Sequence, residues 1–244
     1  MNCENRVAIV TGATGKGMGR SIALTLAREG AKIIVNFKSN EEQAKLLIEH
    51  FNQQGQVAIP CRADIFTFDG CKKLVEETLI AFGKIDICII GPGGGWHPES
   101  VEKLDPAHGL EDITQEVSPL LYLLPLVLPH MYKNQWGRII AISSNHEKPS
   151  PAYSYNLGKA ARTQAILLSS NQVWGKGVTM NVMAPGPVSE IKTFEEAINQ
   201  CSHKEEWKNR NNVSPQDIAE GISFLCSDAG QYINGCVIPF SFRL

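Results

Sequence analysis

The sequence predicts an α/β fold in which a doubly wound, mainly parallel sheet carries helices on both faces. Short apolar runs rich in β-branched residues recur along the chain, longer helical stretches separate them, and a glycine-rich turn follows the first run. Most of the runs are continuously apolar, as expected for strands that are buried on both faces. These predicted strands cover residues 7–10, 33–35, 57–59, 85–90, 138–142 and 178–182.

Helical segments fill the intervals between these strands, among them residues 20–29, 41–53 and 71–82. Strands that alternate with helices indicate βαβ units with right-handed crossovers, and therefore a parallel sheet. No linker or repeat divides the chain, so we expect one nucleotide-binding domain over residues 1–244. A polar, charged stretch at about 189–212 interrupts the alternation of strands and helices and is expected to form a small lid over a pocket.

Composition excludes several classes of partner. The 244 residues are 43% hydrophobic and 20% charged, with a net charge of -2 and no basic block that would indicate nucleic-acid binding. The seven cysteines are scattered, odd in number and never in a CxxC pair, so we expect neither a metal site nor disulfides. The first strand begins too early for a signal peptide, and the apolar run 120–128 is too short to span a bilayer. We therefore expect a cytoplasmic protein without membrane contact.

The glycine-rich turn lies between the first strand and the first helix, the context that a dinucleotide-binding Rossmann fingerprint requires. Glycines allow backbone amides to approach a pyrophosphate, and the helix N-terminus favours negative charge. The residues expected to contact a dinucleotide here are Gly12, Thr14, Lys16, Gly17, Met18 and Gly19.

The end of the second strand bears on cofactor choice. Proteins that prefer NAD commonly place an acidic residue there, whereas no acid precedes Glu41 in this chain. Lys16 and Lys38 could jointly hold a 2′-phosphate, so we expect NADP as cofactor, with NADPH preferred over NADH. The alternative is that both lysines are solvated surface residues.

Tyr155 and Lys159 are four residues apart and therefore share one face of a helix. A free tyrosine titrates near pH ~10 and is a weak acid–base catalyst at neutrality. A nearby ammonium and a positively charged nicotinamide would lower the pKa of Tyr155 towards working pH. Upstream, a strand ends in Ser143 and Ser144; downstream, residues 181–186 contain an Asn-x-x-x-Pro-Gly segment.

Together these motifs resemble the short-chain dehydrogenase/reductase family, in its order and near its spacing, over nearly the whole chain. The resemblance implies hydride transfer between a carbonyl and an alcohol, with Tyr155 as acid–base and Lys159 holding the nicotinamide ribose. Ser144 would orient the substrate carbonyl, with Ser143 as the alternative. Asp64 would contact the adenine ring, unless it is a plain loop or helix-capping residue. The remaining expected cofactor contacts are Gly91, Pro185, Gly186 and Val188.

Family members usually form tetramers through the helices that here carry residues 120–131 and 155–169, so a homo-oligomer, tetramer or dimer, is expected. Those apolar helices could equally be internal core. The substrate is expected to be a small carbonyl or alcohol, and similarity to 3-oxoacyl-carrier-protein reductases is general. Trp96, His97 and His146 follow strand ends, but no role is assigned to them.

Several positions depart from the family pattern. Four residues, rather than three, separate Gly12 from Gly17, and Ile90 and Gly91 stand where the family usually has asparagines. The family's fourth catalytic residue, an asparagine, falls on Glu116, or on Gln115 if the register slips. A threonine that holds the carboxamide is replaced by Glu190, with Thr193 close by. These departures leave open a rival hypothesis, a catalytically weak or inactive NADP(H)-binding subunit or sensor.

Overall fold

The computed structural model describes residues 2–94, 97–144, 151–202 and 210–241. Within these ranges, strands and α-helices alternate along the chain. The strands are β1 (Val7–Val10), β2 (Lys32–Phe37), β3 (Ala58–Arg62), β4 (Ile87–Ile90), β5 (Gly137–Ile142), β6 (Val178–Pro185) and β7 (Val237–Phe240). The helices are α1 (Met18–Arg28), α2 (Glu41–Gln53), α3 (Phe68–Phe82), α4 (Pro106–Asn134), α5 (Tyr153–Val173), α6 (Phe194–Ser202) and α7 (Pro215–Cys226).

The strands form one seven-stranded sheet in the order β3-β2-β1-β4-β5-β6-β7, and each neighbouring pair is parallel. All six predicted strands are present, with β6 extended to Pro185 and β7 added after it. Every residue of β1, β4, β5 and β6 is buried, which explains why those runs are apolar without alternation. The predicted fold class is confirmed.

Helices cover the sheet on both faces, and each face has its own apolar core. One core contains Leu24 of α1, Phe51 of α2 and Ile222 of α7. The other contains Leu74 of α3 and Leu120 of α4, packed under the sheet's opposite face. The two cores are the doubly wound arrangement that the sequence predicts.

The chain reverses its direction of sheet growth between β1 and β4, which are neighbours in the sheet. Thr11 joins the ends of these strands: its Oγ1 donates to Ile89 O at 2.9 Å and accepts from Gly91 N at 2.9 Å. In open α/β sheets, ligands bind at the carboxyl ends of the strands at such a reversal. The fold therefore places the glycine-rich turn at the expected ligand crevice.

The predicted lid begins and ends at a common point, because Val188 and Val213 form a parallel bridge. Helix α6 lies within this stretch and packs against α1. Residues 203–209 of the lid lie outside the described residues. The predicted lid therefore contacts α1, the helix that follows the glycine-rich turn.

The apolar run 120–128 lies inside α4, which continues through Pro119, Pro125 and Pro129. Across the described ranges, none of the helices has both the length and the apolar character needed to cross a membrane.

Candidate active site

The turn between β1 and α1 brings backbone close to backbone. Gly12 has a φ of +62°, and a Cβ at Gly19 would lie 2.3 Å from Gly12 O, so side chains are excluded at both positions. The N-cap of α1 is Gly17, which offers no side chain to the first amides of the helix. Those amides are therefore available to an anion.

Two cavities adjoin this turn and share Gly17 and Met18 in their walls. The first, about 190 Å³, is also lined by Gly12, Gly19 and Gly91. The second, about 630 Å³, extends to Lys16 and to the segment after β6 from Val188 to Lys192. The structure thus brings most of the predicted cofactor residues together along one crevice. Thr14 is buried within the turn.

The segment after β6 is fixed by the neighbouring strand, since Gly186 N donates to Phe240 O at 2.9 Å and follows Pro185 directly. Glu190 lines the larger cavity. Thr193 Oγ1 instead accepts from Glu196 N at 3.1 Å at the start of α6. Thr193 is therefore engaged in capping a helix.

At the end of β2, the side chain of Asn36 is fully engaged in holding the glycine-rich turn. Its Oδ1 accepts from Gly12 N at 3.3 Å, and its Nδ2 donates to Ala63 O at 3.0 Å. Beside it, Lys38 Nζ lies 2.9 Å from Asp64 Oδ2. Burial opposes ionisation of Asp64, but the hydrogen bonds from Lys38 and from Phe66 N lower its pKa on balance. Thr67, rather than Asp64, is the N-cap of α3.

Tyr155 and Lys159 lie on one face of α5, with Lys159 Nζ 5.2 Å from the centroid of the Tyr155 ring. The pKa of Lys159 is lowered to about 8, because burial and Arg162 lower it by more than Glu116 raises it. Burial raises the pKa of Tyr155, Glu116 adds to this, and Arg162 acts in the opposite direction. Among the protein's own groups, burial and Glu116 therefore outweigh Arg162; the expected lowering, which includes a positively charged nicotinamide, stays a prediction.

The two serines at the end of β5 have different environments. Ser143 Oγ donates to Lys159 O at 3.0 Å and lies 2.8 Å from Thr163 Oγ1, which fastens β5 to α5. Ser144 Oγ is buried and has no hydrogen-bond partner among the described residues. Ser144 is thus the serine whose hydroxyl remains available to a ligand.

Glu116 of α4 faces α5, the helix that carries Tyr155 and Lys159. It is fully buried, and its Oε1 lies 3.2 Å from Lys159 Nζ and accepts from Gly94 N at 2.9 Å. Gln115 donates to Glu111 along the surface of the same helix. Glu116, rather than Gln115, therefore occupies the position beside Lys159.

Two buried charged residues at this site, Arg162 and Asp112, were not predicted from the sequence. Arg162 is fully buried beside Glu116, with its Nε 3.0 Å from Glu116 Oε2. Asp112 is also fully buried; it accepts from Ser154 Oγ at 2.6 Å and lies 2.9 Å from His97 Nδ1. The available signal was spacing: Asp112 precedes Glu116 by one helical turn, and Arg162 follows Lys159 by nearly one. Trp96 and His146 lie outside the described residues.

Comparison with known proteins agrees with this arrangement. A family model described as short chain dehydrogenase matches residues 6–200. A short-chain dehydrogenase/reductase of Pestalotiopsis microspora is 30% identical over 260 residues, covering 96% of this chain and 93% of its own. The 7alpha-hydroxysteroid dehydrogenase of Escherichia coli K12 is 29% identical over 246 residues, covering 99% and 94%. Versicolorin reductase 1 of Aspergillus parasiticus is 29% identical over 259 residues, covering 96% and 94%.

Solved structures give the same result. A 7α-hydroxysteroid dehydrogenase in complex with NADH and 7-oxo glycochenodeoxycholic acid superposes with a TM-score of 0.85 at 29% identity, covering 99% of this chain and 95% of that one. A hydroxysteroid dehydrogenase from Escherichia coli superposes with a TM-score of 0.84 at 28% identity, covering 100% and 98%. Sequence and fold therefore point to the same class of protein over the full length of the chain.

Proposed function

Because the chain belongs to the short-chain dehydrogenase family of nicotinamide-dependent oxidoreductases, we propose that it interconverts a carbonyl and an alcohol with NADP(H), using Tyr155 as acid–base. The observation that carries this proposal is the cluster at the end of β5 and the start of α5. Tyr155 and Lys159 share a helix face there, and Ser143 ties the end of β5 to Lys159 O. Ser144 follows Ser143, and its buried hydroxyl has no partner among the described residues.

The crevice has the features that a dinucleotide requires. Glycines keep side chains out of the turn, and the uncapped N-terminus of α1 can receive the pyrophosphate. From there the larger cavity leads past Val188 towards the lid. Gly12, Thr14, Lys16, Gly17, Met18 and Gly19 would hold one end of the cofactor, and Gly91, Pro185, Gly186, Val188 and Lys159 the other.

When bound at this site, NADPH would supply the hydride that the carbonyl carbon receives. Tyr155 donates its proton to the carbonyl oxygen, which then becomes the alcohol, and regains a proton from solvent. Burial raises the pKa of Tyr155, so the phenol is protonated at neutral pH and carries the proton that the reductive direction consumes. Ser144 Oγ donates to the same oxygen and orients it, while Lys159 binds the nicotinamide ribose. The reverse oxidation uses the same groups.

Preference for NADPH over NADH is part of the proposal. The end of β2 has no acidic side chain that could hold ribose hydroxyls. Asn36 occupies that position, and its side chain is bound to backbone groups of Gly12 and Ala63. Lys38 lies beside Asp64, where the adenosine end of the cofactor would bind. NADH is the rival, because the similar hydroxysteroid dehydrogenase was solved with NADH.

Substrate choice is assigned to the loop after Gly94 and to the lid, which borders the larger cavity through Glu190 and Ile191. The names of the similar proteins put 7-oxo glycochenodeoxycholic acid and other oxosteroids on the list of carbonyls to test, beside 3-oxoacyl thioesters. Homo-oligomerisation is proposed as well, because Leu110 and Leu121 of α4 and Leu157 and Leu168 of α5 are large exposed apolar side chains.

The test is oxidation of NADPH and NADH in the presence of this carbonyl panel, with Tyr155→Phe and Tyr153→Phe compared in parallel. Tyr153 lies on the same helix but is exposed, so it controls for general effects of the substitution. We expect turnover with NADPH that Tyr155→Phe abolishes and Tyr153→Phe preserves, with NADPH binding kept in both.

A second function is an NADP(H)-binding subunit without turnover. The departures at Glu116 and Glu190 favour it, since both place a carboxylate where the family has a neutral side chain. Tight NADPH binding without reduction of any carbonyl in the panel would support this alternative and contradict the enzymatic proposal.

A further inference from the structure

Arg162 has no part in the proposed proton and hydride transfers, yet it is the most thoroughly buried cation near them. Its side chain is fully buried and donates to backbone carbonyls of three separate elements. Nε donates to Glu116 O at 2.8 Å, Nη1 to Gly91 O at 3.0 Å and to Ile142 O at 2.9 Å, and Nη2 to Pro92 O. One guanidinium therefore connects α4, the loop after β4 and the end of β5, which together surround the active site.

The second member of the arrangement is the Glu116 carboxylate. Its two oxygens face different cations: Oε1 lies 3.2 Å from Lys159 Nζ, and Oε2 lies 3.0 Å from Arg162 Nε. A buried carboxylate with a single imperfect partner is strongly destabilising, whereas one held between two cations can remain ionised. Glu116 therefore lies between Arg162 on one side and Lys159 on the other.

Two glycines provide the space for this carboxylate. A Cβ at Gly93 would lie 2.0 Å from Glu116 Oε1, and a Cβ at Gly158 would lie 2.9 Å from Glu116 Cγ. The loop after β4 also contributes Gly94 N as a donor to Oε1. Glu116 is therefore enclosed by the loop on one side and by α5 on the other.

We propose that Arg162 and Glu116 form a positioning pair that orients Lys159 and holds the loop after β4 against the active site. This inference rests on the proposed function, in which Lys159 binds the nicotinamide ribose beside Tyr155. Neither residue of the pair touches the reacting atoms in this scheme; both act through Lys159 and through the loop carbonyls.

The charges of the pair should have a measurable effect on the titrations of Lys159 and Tyr155. The charged groups that act on the titrations of Lys159 and Tyr155 are Glu116 from α4 and Arg162 from α5. Asp112, one helical turn before Glu116, is tied to His97 of the loop after β4. Glu116 raises the pKa of both Lys159 and Tyr155, and Arg162 lowers both. Neutralising Glu116 should therefore move both titrations to lower pH, and neutralising Arg162 should move both to higher pH.

The experiment compares Glu116→Gln, Arg162→Met, Arg162→Lys and the double variant Glu116→Gln/Arg162→Met. The Lys159 titration is followed by the ¹³Cε lysine signal that is missing from Lys159→Met, and kcat/KM is measured against pH in parallel. We expect shifts of about one pH unit in opposite directions for the two single neutral variants. The kcat of Arg162→Met should fall about 100-fold, with partial recovery in Arg162→Lys.

The double variant guards against failure to fold, because it does not leave a buried Glu116 carboxylate without Arg162; Lys159, the buried cation that remains, can lose its proton. It should unfold at a higher temperature than Arg162→Met and place the Lys159 titration between those of the single variants. Shifts in the same direction, or an unchanged Lys159 titration in folded variants, would overturn the positioning role. The lysine signal is read without turnover, so a wild-type protein that reduces no carbonyl defeats only the proposed function.

Discussion

The Lys38 ammonium lies 2.9 Å from the Asp64 carboxylate at the ends of β2 and β3. Both side chains are partly exposed, at 64% and 32%, so the pair by itself adds little to stability. Its significance is its position, next to Asn36 and the glycine-rich turn. An approaching 2′-phosphate would meet a lysine that is already held in place.

Lys38→Ala should therefore weaken NADPH binding by about tenfold while changing NADH binding little, since only NADPH carries the 2′-phosphate. Titration calorimetry with both dinucleotides measures the effect. Lys72→Ala, which removes an exposed lysine from α3, serves as the control. Equal losses for the two dinucleotides would mean that Lys38 contacts a group that they share, and no loss would make it a solvated surface residue.

Ser143 and Ser144 offer a second matched comparison. Ser144→Ala should lower kcat about 100-fold with little change in Tm, because its hydroxyl has no partner among the described residues to lose. Ser143→Ala should instead lower the free energy of unfolding by about 1 to 2 kcal/mol, because it breaks contacts to Lys159 O and Thr163 Oγ1. Kinetics and urea denaturation on both variants separate the roles. The opposite pattern would assign the substrate contact to Ser143.

The parts of the site that depend on local sequence were accessible before the structure. The glycine-rich turn is identified by its residues and by its position between a strand and a helix. Tyr155 and Lys159 are joined by helical spacing alone. Their shared face, and the parallel sheet that positions it, follow from periodicity.

The buried charges could not be found in this way, because each depends on partners distant in sequence. Arg162 is buried only because Glu116, Gly91 and Ile142 surround it, and those residues come from three other elements. Helical spacing cannot distinguish such an arginine from one on a solvated face. The burial that raises the pKa of Tyr155 is also absent from the local sequence, which indicated only a nearby ammonium and a positively charged nicotinamide as influences on that pKa.

The close approach of α4 and α5 at Gly158 leads to a prediction about packing. A Cβ there would lie 2.9 Å from Glu116 Cγ and 3.0 Å from Glu116 Cβ, so Gly158→Ala should destabilise the protein by about 1 to 3 kcal/mol. A glycine-to-alanine change inside a helix otherwise stabilises by about 0.5 to 1 kcal/mol. The packing contact therefore decides that Gly158→Ala lowers, rather than raises, the free energy of unfolding.

Gly175→Ala is the control for this substitution, because a Cβ at Gly175 meets nothing within 4 Å. It should leave the free energy of unfolding unchanged or raise it slightly. Urea denaturation of the two variants provides the measurement. Equal stability of Gly158→Ala and the wild type would show that the two helices separate readily at this point.

The last prediction concerns pH, and it follows from the burial of Lys159. Burial and Arg162 lower its pKa from the ordinary value of 10.5 to about 8, against the opposing effect of Glu116. Between these two values, the unfolded chain binds more protons at Lys159 than the folded protein does. The free energy of unfolding therefore rises with pH across this window, because the cost of a buried ammonium disappears as the group loses its proton.

Comparison with Lys159→Met isolates this effect, since other groups titrate alike in both proteins to a first approximation. From pH 7.5 to pH 9.5, the wild type should gain about 2 kcal/mol of stability relative to the variant, as measured by urea denaturation. If the difference between the two proteins stays constant over this range, Lys159 keeps an ordinary pKa in the folded state. A relative loss of wild-type stability with rising pH would mean that the ion pair with Glu116 outweighs burial and raises that pKa.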